Sequence, residues 1–351
     1  MSILITGNMG YVGPSVVRQL RHSRPEELLI GYDTGYFANA MTSSLLFPEC
    51  QLTAQLFGDV RGIPEGVFDG VDAVVQLAAI SNDPMGNAYE AVTRDINHDA
   101  SIDIAQKAKA AGVKSFVFAS SCSVYGFAED GARNESSAVN PLTAYARSKV
   151  ATETDLQTLA DKNFKVTCLR FATACGMSPR LRLDLVLNDF VASAIAAKKI
   201  TILSDGTPWR PLINTKDMAR AIDWAVGRNP ASGGEYLIVN AGSDEWNYQV
   251  KDLAAAVRRQ MPHVEVSINP EAQPDKRSYR VDFSLFRQLA PKHQPIHSLD
   301  GTVRELRSGL EQLGFADANF RESRLIRLKM LNALKTSGSL TDDLYWKPIT
   351  P

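Results

Sequence analysis

The residues of this chain best suited to chemistry are a tyrosine and a lysine four positions apart, Tyr145 and Lys149, in Pro141-Leu142-Thr143-Ala144-Tyr145-Ala146-Arg147-Ser148-Lys149. The proline and the apolar periodicity after it predict the start of a helix, where a four-residue spacing puts both side chains on one face. A phenol with a pKa of about 10 is a poor base at neutral pH. A neighbouring ammonium favours its phenolate, so the pair can take a proton from a hydroxyl group. Upstream, a buried-looking strand at 114–119 opens into Ser120-Ser121-Cys122-Ser123-Val124-Tyr125-Gly126. A serine at such a strand end can hold the reacting oxygen while the proton moves. The same Tyr-x-x-x-Lys spacing also occurs in ordinary amphipathic helices, so its meaning depends on the elements around it.

Those elements begin at residue 1. An apolar run, Ile3-Leu4-Ile5, turns through Gly7-Asn8-Met9-Gly10-Tyr11-Val12-Gly13 into the helical pattern Val16-Val17-Arg18-Gln19-Leu20. A second apolar run, Leu28-Leu29-Ile30, ends in Gly31-Tyr32-Asp33. Strand, glycine turn, helix, strand and acid is the order of a dinucleotide-binding βαβ unit. The glycines permit a sharp turn, a close approach of backbone N–H groups to a pyrophosphate, and tight helix–strand packing. The phosphates then meet the positive end of a helix. Asp33 is placed to accept hydrogen bonds from the adenosine ribose and to repel a 2′-phosphate, which favours NAD over NADP. A positively charged nicotinamide would further favour a Tyr145 phenolate.

Further strands are expected at 52–57, 72–77, 165–171, 200–203 and 235–240, and helices at 90–111, 185–198, 217–226, 248–260, 298–313 and 319–334. Asp59 and Val60 follow one strand and suit an adenine edge and face; the alternative is a turn acid that caps the next segment. Leu77, Ala78 and Ala79 end another strand, where small residues let a cofactor backbone pass. Asn97 interrupts an apolar helix face, either to reach the cofactor or to satisfy local backbone. Arg180 and Arg182 precede a helix and read either as phosphate ligands or as plain surface charge. Trp209, beside Arg210, reads as a base-stacking residue or as packing.

A length of 351 residues predicts two domains or one large α/β domain. Hydrophobic content of 44% and charged content of 22% fit an ordinary globular protein rather than a disordered or membrane chain. The formal net charge of −1, without a basic run, argues against a nucleic-acid surface. The first strand leaves no room for a signal peptide, and the apolar segments are only strand length, so no membrane span is expected. Cys50, Cys122, Cys168 and Cys175 lack metal-site spacing and read as reduced thiols in the cytoplasm, with no metal expected.

Taken together, Gly7-x-x-Gly10-x-x-Gly13, Asp33, Asp59-Val60, Ala78-Ala79, Ser121 to Gly126 and Tyr145-x-x-x-Lys149 resemble the extended short-chain dehydrogenase/reductase family, in particular its NAD-dependent nucleotide-sugar epimerases and dehydratases. The resemblance implies an α/β fold: a Rossmann-like doubly wound parallel sheet with a smaller C-terminal α/β substrate-binding domain. Residues 1–171 would bind NAD and carry the catalytic group, and 172–351 would mainly bind substrate, with room for strands that return to the first domain. Ser121, Tyr145 and Lys149 would be catalytic. Cofactor contacts would come from Gly7, Gly10, Tyr11, Val12, Gly13, Asp33, Asp59, Val60, Leu77, Ala78, Ala79, Asn97, Tyr145 and Lys149. Ser81, Cys122, Ser123, Thr173, Arg182, Asn188, Arg210 and Arg277 would contact a nucleotide-diphosphate sugar. Relatives carry a histidine at the place of Gln76, an asparagine at Thr173 and an arginine near Ala272, so Lys276 or Arg277 would have to substitute for the last. Dehydratases of the family have an acid in the two places after the catalytic serine or threonine; Cys122 and Ser123 stand there. Epimerisation through a transient keto sugar, most economically at C4, is therefore the expected reaction, with a ketosugar reductase, a dehydrogenase or an unusual dehydratase as alternatives. The resemblance also implies a homodimer.

Overall fold

The computed structural model describes residues 1–42, 47–128, 131–269, 271–272 and 278–348. Seven strands form the main sheet: β1 (Ser2–Thr6), β2 (Leu28–Asp33), β3 (Ala54–Phe57), β4 (Ala73–Gln76), β5 (Ser115–Ser121), β6 (Lys165–Phe171) and β7 (Tyr236–Ala241). All pairings are parallel, in the order β3-β2-β1-β4-β5-β6-β7. A parallel sheet is covered on both faces, which is why β1 is buried at every residue and carries the apolar run Ile3-Leu4-Ile5 at its centre. Successive residues feed opposite cores. Ile3, Ile5, Val75 and Val117 face one layer, and Leu4, Val74, Phe116 and Phe118 the other. The strand order reverses between β1 and β4, and there the C-terminal strand ends leave a crevice.

The helix Gly13–Ser23 covers one face beside the helix Thr215–Gly227. On the other face, Thr143 caps the helix Ala144–Leu159 by accepting the Ala146 N–H at 3.2 Å. The chain then builds a smaller layer around Leu187, Val191, Ile200, Leu212 and Leu253, with three short strands (Thr173–Cys175, Trp209–Asn214, Asn247–Gln249) and the helices Val186–Ala196, Val250–Gln260 and Leu299–Gln312. β7 lies beyond residue 172 in sequence yet completes the main sheet beside β6.

Two expected helices are broken. Residues 90–111 hold Glu90–Arg94, a wide π-helical turn at Asp95–Asp99 and then Ala100–Ala110. The turn sets Asn97 against the Ile80 backbone, and the Asn97 carbonyl accepts the hydroxyls of Ser101 at 2.8 Å and Thr152 at 3.1 Å. Residues 319–334 hold only a short 3₁₀ turn, Phe320–Glu322, before the helix Arg327–Thr336. Beyond that helix, the tail packs on its own nucleotide half. Leu340 and Leu344 are buried there, and the Trp346 indole N–H donates to the Thr34 carbonyl at 2.6 Å. Among the described residues no helix is long and apolar enough to cross a membrane.

One buried ion pair ties the catalytic-side helix to the sheet. Arg170 donates from Nε and Nη2 to Glu153 at 2.9 and 2.7 Å, and both side chains are buried. Ser120 donates to the same carboxylate at 2.6 Å, and Arg170 Nη1 reaches the Tyr125 hydroxyl at 3.1 Å. Removing one partner would strand a buried charge. Glu153→Gln is expected to lower unfolding free energy by about 3–5 kcal/mol, measured by urea denaturation.

Candidate active site

A cavity of about 1040 Å³ opens at the C-terminal ends of the strands. The glycine turn forms its floor. Gly7 has φ +71°, and a Cβ there would stand 2.5 Å from the Ala78 nitrogen. A Cβ on Gly13 would stand 2.0 Å from the Asn8 carbonyl oxygen, so both positions exclude any side chain. Gly10, Tyr11 and Val12 line the cavity with them. Asp33 also lines it and braces the turn, accepting from the Met9 N–H at 3.0 Å and the Gly35 N–H at 2.7 Å. Burial raises its carboxyl above the ordinary aspartate range, with both backbone donors opposing.

Asp59, Val60, Leu77, Ala78 and Ala79 follow around the wall. The Asp59 carboxylate caps the next turn by accepting the Arg61 N–H at 2.9 Å and also takes the Arg61 guanidinium. Asn97 stands behind this wall, away from the cavity lining. It accepts from the Ile80 N–H at 2.8 Å and donates to the Ile80 carbonyl at 3.0 Å and the Ser148 hydroxyl at 3.1 Å. Its amide shapes the strand-end loop, which fits the expected alternative of satisfying local backbone. Gln76 has a similar internal role, accepting from the Thr6 hydroxyl and donating to Ser101 at 3.0 Å.

Ser121, Tyr145 and Lys149 meet on one side of the same cavity. The Lys149 ammonium donates to the Ala119 carbonyl at 2.7 Å and sits 5.6 Å from the Tyr145 ring centroid. Burial pulls its pKa down to about 7, against the opposing charge of Glu153. Burial likewise pushes the Tyr145 phenol up to about 12, while a hydrogen bond with Ser121 works the other way. Both groups are thus held toward neutrality by a low-dielectric setting. Ser121 Oγ accepts the Ser123 N–H at 3.1 Å. The Ser123 hydroxyl is buried at the cavity wall with no protein partner, a group left for a ligand.

Of the expected substrate contacts, Ser81, Ser123, Thr173, Arg182 and Arg210 line the cavity, and two do not. Cys122 lies under the wall, its thiol donating to the Arg170 carbonyl at 3.1 Å and pushed up in pKa by burial. Asn188 is buried behind Arg182, bonded to the Arg182 carbonyl and the Tyr11 hydroxyl, each at 2.9 Å. Tyr11 in turn donates to the Gly176 carbonyl at 2.5 Å, which ties the glycine turn to the C-terminal half. Both stand behind the cavity lining rather than on it. Arg277 and Lys276 lie outside the described residues.

Neither Arg180 nor Arg182 is surface charge. Both are buried: Arg180 pairs with Glu49 at 2.6 Å, and Arg182 holds Asp184 at 2.8 and 3.0 Å and Ser81 at 2.8 Å. Trp209 lies outside the cavity lining, 5.2 Å from the Arg280 guanidinium. Sequence reasoning missed Asp83, Tyr279 and Arg327 on the cavity wall. The run Asn82-Asp83-Pro84 carries a helix-start signal, and Asn82 does cap there, accepting from Met85 at 2.9 Å. Tyr279 lies two residues beyond Arg277, in a segment expected to touch the nucleotide, whereas nothing local marks Arg327, which reaches the site from distant sequence. Among the described residues no group of three or more His, Cys, Asp or Glu side chains could hold a metal ion.

The cavity, the bare glycine turn and the orphaned Ser123 hydroxyl suit a dinucleotide with a second ligand beside Tyr145. The depressed Lys149 pKa has a stability cost with a defined sign. Below about pH 7 the folded chain carries a buried ammonium, and the penalty fades as pH rises toward the unfolded lysine value, because unfolded chains then hold the extra proton. Lys149→Met is therefore expected to stabilise the NAD-free protein by about 2–4 kcal/mol at mildly acidic pH, with the gain shrinking toward alkaline pH in denaturant titrations.

Comparison with known proteins agrees with this geometry. The NAD dependent epimerase/dehydratase family matches residues 3–242. An uncharacterised UDP-glucose epimerase of Bacillus subtilis (strain 168) is 28% identical over 254 residues, covering 70% of this chain and 78% of that protein. A UDP-glucose 4-epimerase of Streptomyces lividans is 26% identical over 278 residues, covering 74% and 81%. Among solved structures, the UDP-glucuronic acid 4-epimerase of Bacillus cereus, in complex with UDP-glucuronic acid and NAD, superposes with a TM-score of 0.75 at 20% identity, covering 89% of this chain and 100% of that one. The NDP-hexosamine 5,6-dehydratase TunA superposes equally, with a TM-score of 0.75 at 22% identity, covering 91% and 99%. The glycine turn, the Rossmann strand order and the family match lead to one conclusion: the chain belongs to the NAD-dependent epimerase/dehydratase family of the extended short-chain dehydrogenases/reductases, and is an enzyme whose cofactor is NAD.

Proposed function

We propose that the protein epimerises a nucleotide-diphosphate sugar, most economically at C4, through a transient keto sugar. The observation that carries this reading is the convergence of Ser121, Tyr145 and Lys149 on a cavity that also holds the glycine turn and extends to Arg210. The Tyr145 oxygen takes the proton of the sugar hydroxyl, and Ser121 holds that oxygen. Lys149, fixed through Ala119, supplies positive charge beside the phenol. Bound NAD supplies the acceptor for the hydride and its later donor. The keto sugar then presents its other face, and Tyr145 returns the proton. Arg210, with a planar fork of donors, suits the sugar nucleotide's diphosphate. The UDP-sugar epimerases among the relatives support the substrate class. The homodimer belongs to the same proposal.

Dehydration is the second reading, and one observation favours it. The positions after Ser121 offer no cavity carboxylate, since Cys122 is buried and Ser123 is a hydroxyl, but Asp83 lines the cavity and its charge acts on Tyr145. A carboxylate from another segment thus stands where elimination chemistry could use one.

Product NMR on a nucleotide-sugar panel separates these readings: inversion at one carbon is expected, whereas loss of water would favour dehydration. Net NADH accumulation would point to a dehydrogenase. Tyr145→Phe is expected to lower kcat by at least about 100-fold, the scale of a lost acid/base group, while NAD stays bound. Unchanged turnover in that variant would reject the proton-transfer role.

A further inference from the structure

Arg327 stands on the cavity wall, far in sequence from the glycine turn and outside the matched family segment. It is only 2% exposed. Its Nη2 donates to the Arg180 carbonyl at 2.7 Å, but its Nη1 is buried with no hydrogen-bond partner. Among the described residues no carboxylate lies within ion-pairing distance of it, whereas Arg180 has Glu49 and Arg182 has Asp184. It is also the first residue of the helix Arg327–Thr336, whose N-terminus has no side-chain cap and no acid in its first turn. Positive charge is disfavoured at that end of a helix. The Asp184 carboxylate acts on Arg327 only beyond ion-pairing distance and is itself bonded to Arg182, and a buried guanidinium with an idle donor and no direct ion pair is costly unless an anion joins it.

The surroundings indicate which anion. Burial lowers the Arg327 pKa, and the charges of Arg182, Asp184 and Arg180 act on it ahead of the Tyr11 hydroxyl. The guanidinium lies 4.3 Å over the Phe37 ring, just beyond β2, and Phe37 lines the cavity together with the glycine turn. These belong to the cofactor side of the cavity, whereas Arg210 stands on the strand Trp209–Asn214. The tail that follows is anchored to the same side. Trp346 donates to the Thr34 carbonyl at 2.6 Å, the Tyr36 hydroxyl donates to the Leu344 carbonyl, and Arg61 donates to the Asp343 carbonyl at 2.7 Å. We propose that Arg327 is a binding residue for the diphosphate of the dinucleotide cofactor, held in the cavity by a C-terminal segment docked beside the adenosine end. The proposal rests on the NAD-binding reading of this cavity.

The test is calorimetric titration of NAD-stripped full-length protein with ADP-ribose, adenosine and UDP. Arg327→Met is expected to weaken ADP-ribose binding about 10- to 100-fold, the range for hydrogen bonds to a charged group, with adenosine and UDP unchanged within about twofold. Unchanged ADP-ribose affinity would overturn the proposal. So would an equal loss for adenosine, which marks a packing role, or a loss confined to UDP, which marks the sugar nucleotide's diphosphate. Should Arg327→Met fail to fold, Arg327→Lys decides the matter: it keeps the charge but loses the planar fork, and a severalfold loss for ADP-ribose alone is expected. Wild-type affinity in that lysine variant would overturn the assignment. If wild-type protein binds no ADP-ribose, the dinucleotide reading fails first, an outcome distinct from a null effect of the substitution.

Discussion

The architecture depends on one costly arrangement, the burial of ionisable side chains from a single helix face against the ends of two strands. Tyr145, Lys149 and Glu153 recur every four residues along the helix Ala144–Leu159. Glu153 is fully partnered by Arg170 and Ser120, so its charge is tolerated in the interior. Among the described residues Lys149 has only the Ala119 carbonyl as its hydrogen-bond acceptor, with the more distant field of Glu153. Low dielectric therefore acts on the lysine and tyrosine together, lowering one pKa and raising the other. The register of β5 against β6 sets the geometry, pairing Ser121 with Phe171 at the cavity's edge. A group in this state is poised, because a nearby positive charge moves the phenol far more than it would in water.

The rest of the molecule keeps that arrangement in place. The glycine turn is fixed from behind by Asp33 and from the other half of the chain by the Tyr11 hydroxyl on the Gly176 carbonyl. Asn188 fastens Tyr11 to the Arg182 segment, and Leu183 receives its backbone partner from Leu325 at 3.0 Å. The cofactor floor, the arginine segment and the stretch before the C-terminal helix are thereby linked both through hydrogen bonds and through one apolar cluster, which holds Tyr11, Leu181 and Leu183 with Leu325 and Ile326 packed against it. β7 and the helix Thr215–Gly227 also return to the nucleotide half, pairing with β6 and packing beside the helix Gly13–Ser23.

Much of this was legible in the sequence because local rules carried it. β6 spans 165–171 as expected, since Val166, Thr167, Cys168, Leu169 and Phe171 carry a strand signal that Lys165 and Arg170 do not break. The Ser, Tyr and Lys positions were marked by strand-end and helix-spacing logic that needs no distant partner. Asn97 left two readings open for a physical reason: a polar residue on an apolar face signals an internal partner, but not whether that partner is a ligand or, as found, the Ile80 backbone. The internal bonds of Cys122 and Asn188 were not legible, because a position next to a site in sequence can point beneath it. Arg180 and Arg182 look like surface charge until Glu49 and Asp184 are folded against them. Arg327 carries no local signal at all, since its place in the cavity exists only after the C-terminal segment docks.

The central claim is that burial holds Tyr145 protonated until the cofactor's positive ring arrives. The most direct measurement is the Tyr145 titration by NMR of ring-labelled tyrosine, assigned by difference against Tyr145→Phe, with and without bound NAD. The account predicts a pKa of about 12 in the free protein and a fall of at least about two units, toward neutrality, once NAD is bound. The same pKa in both states would contradict it.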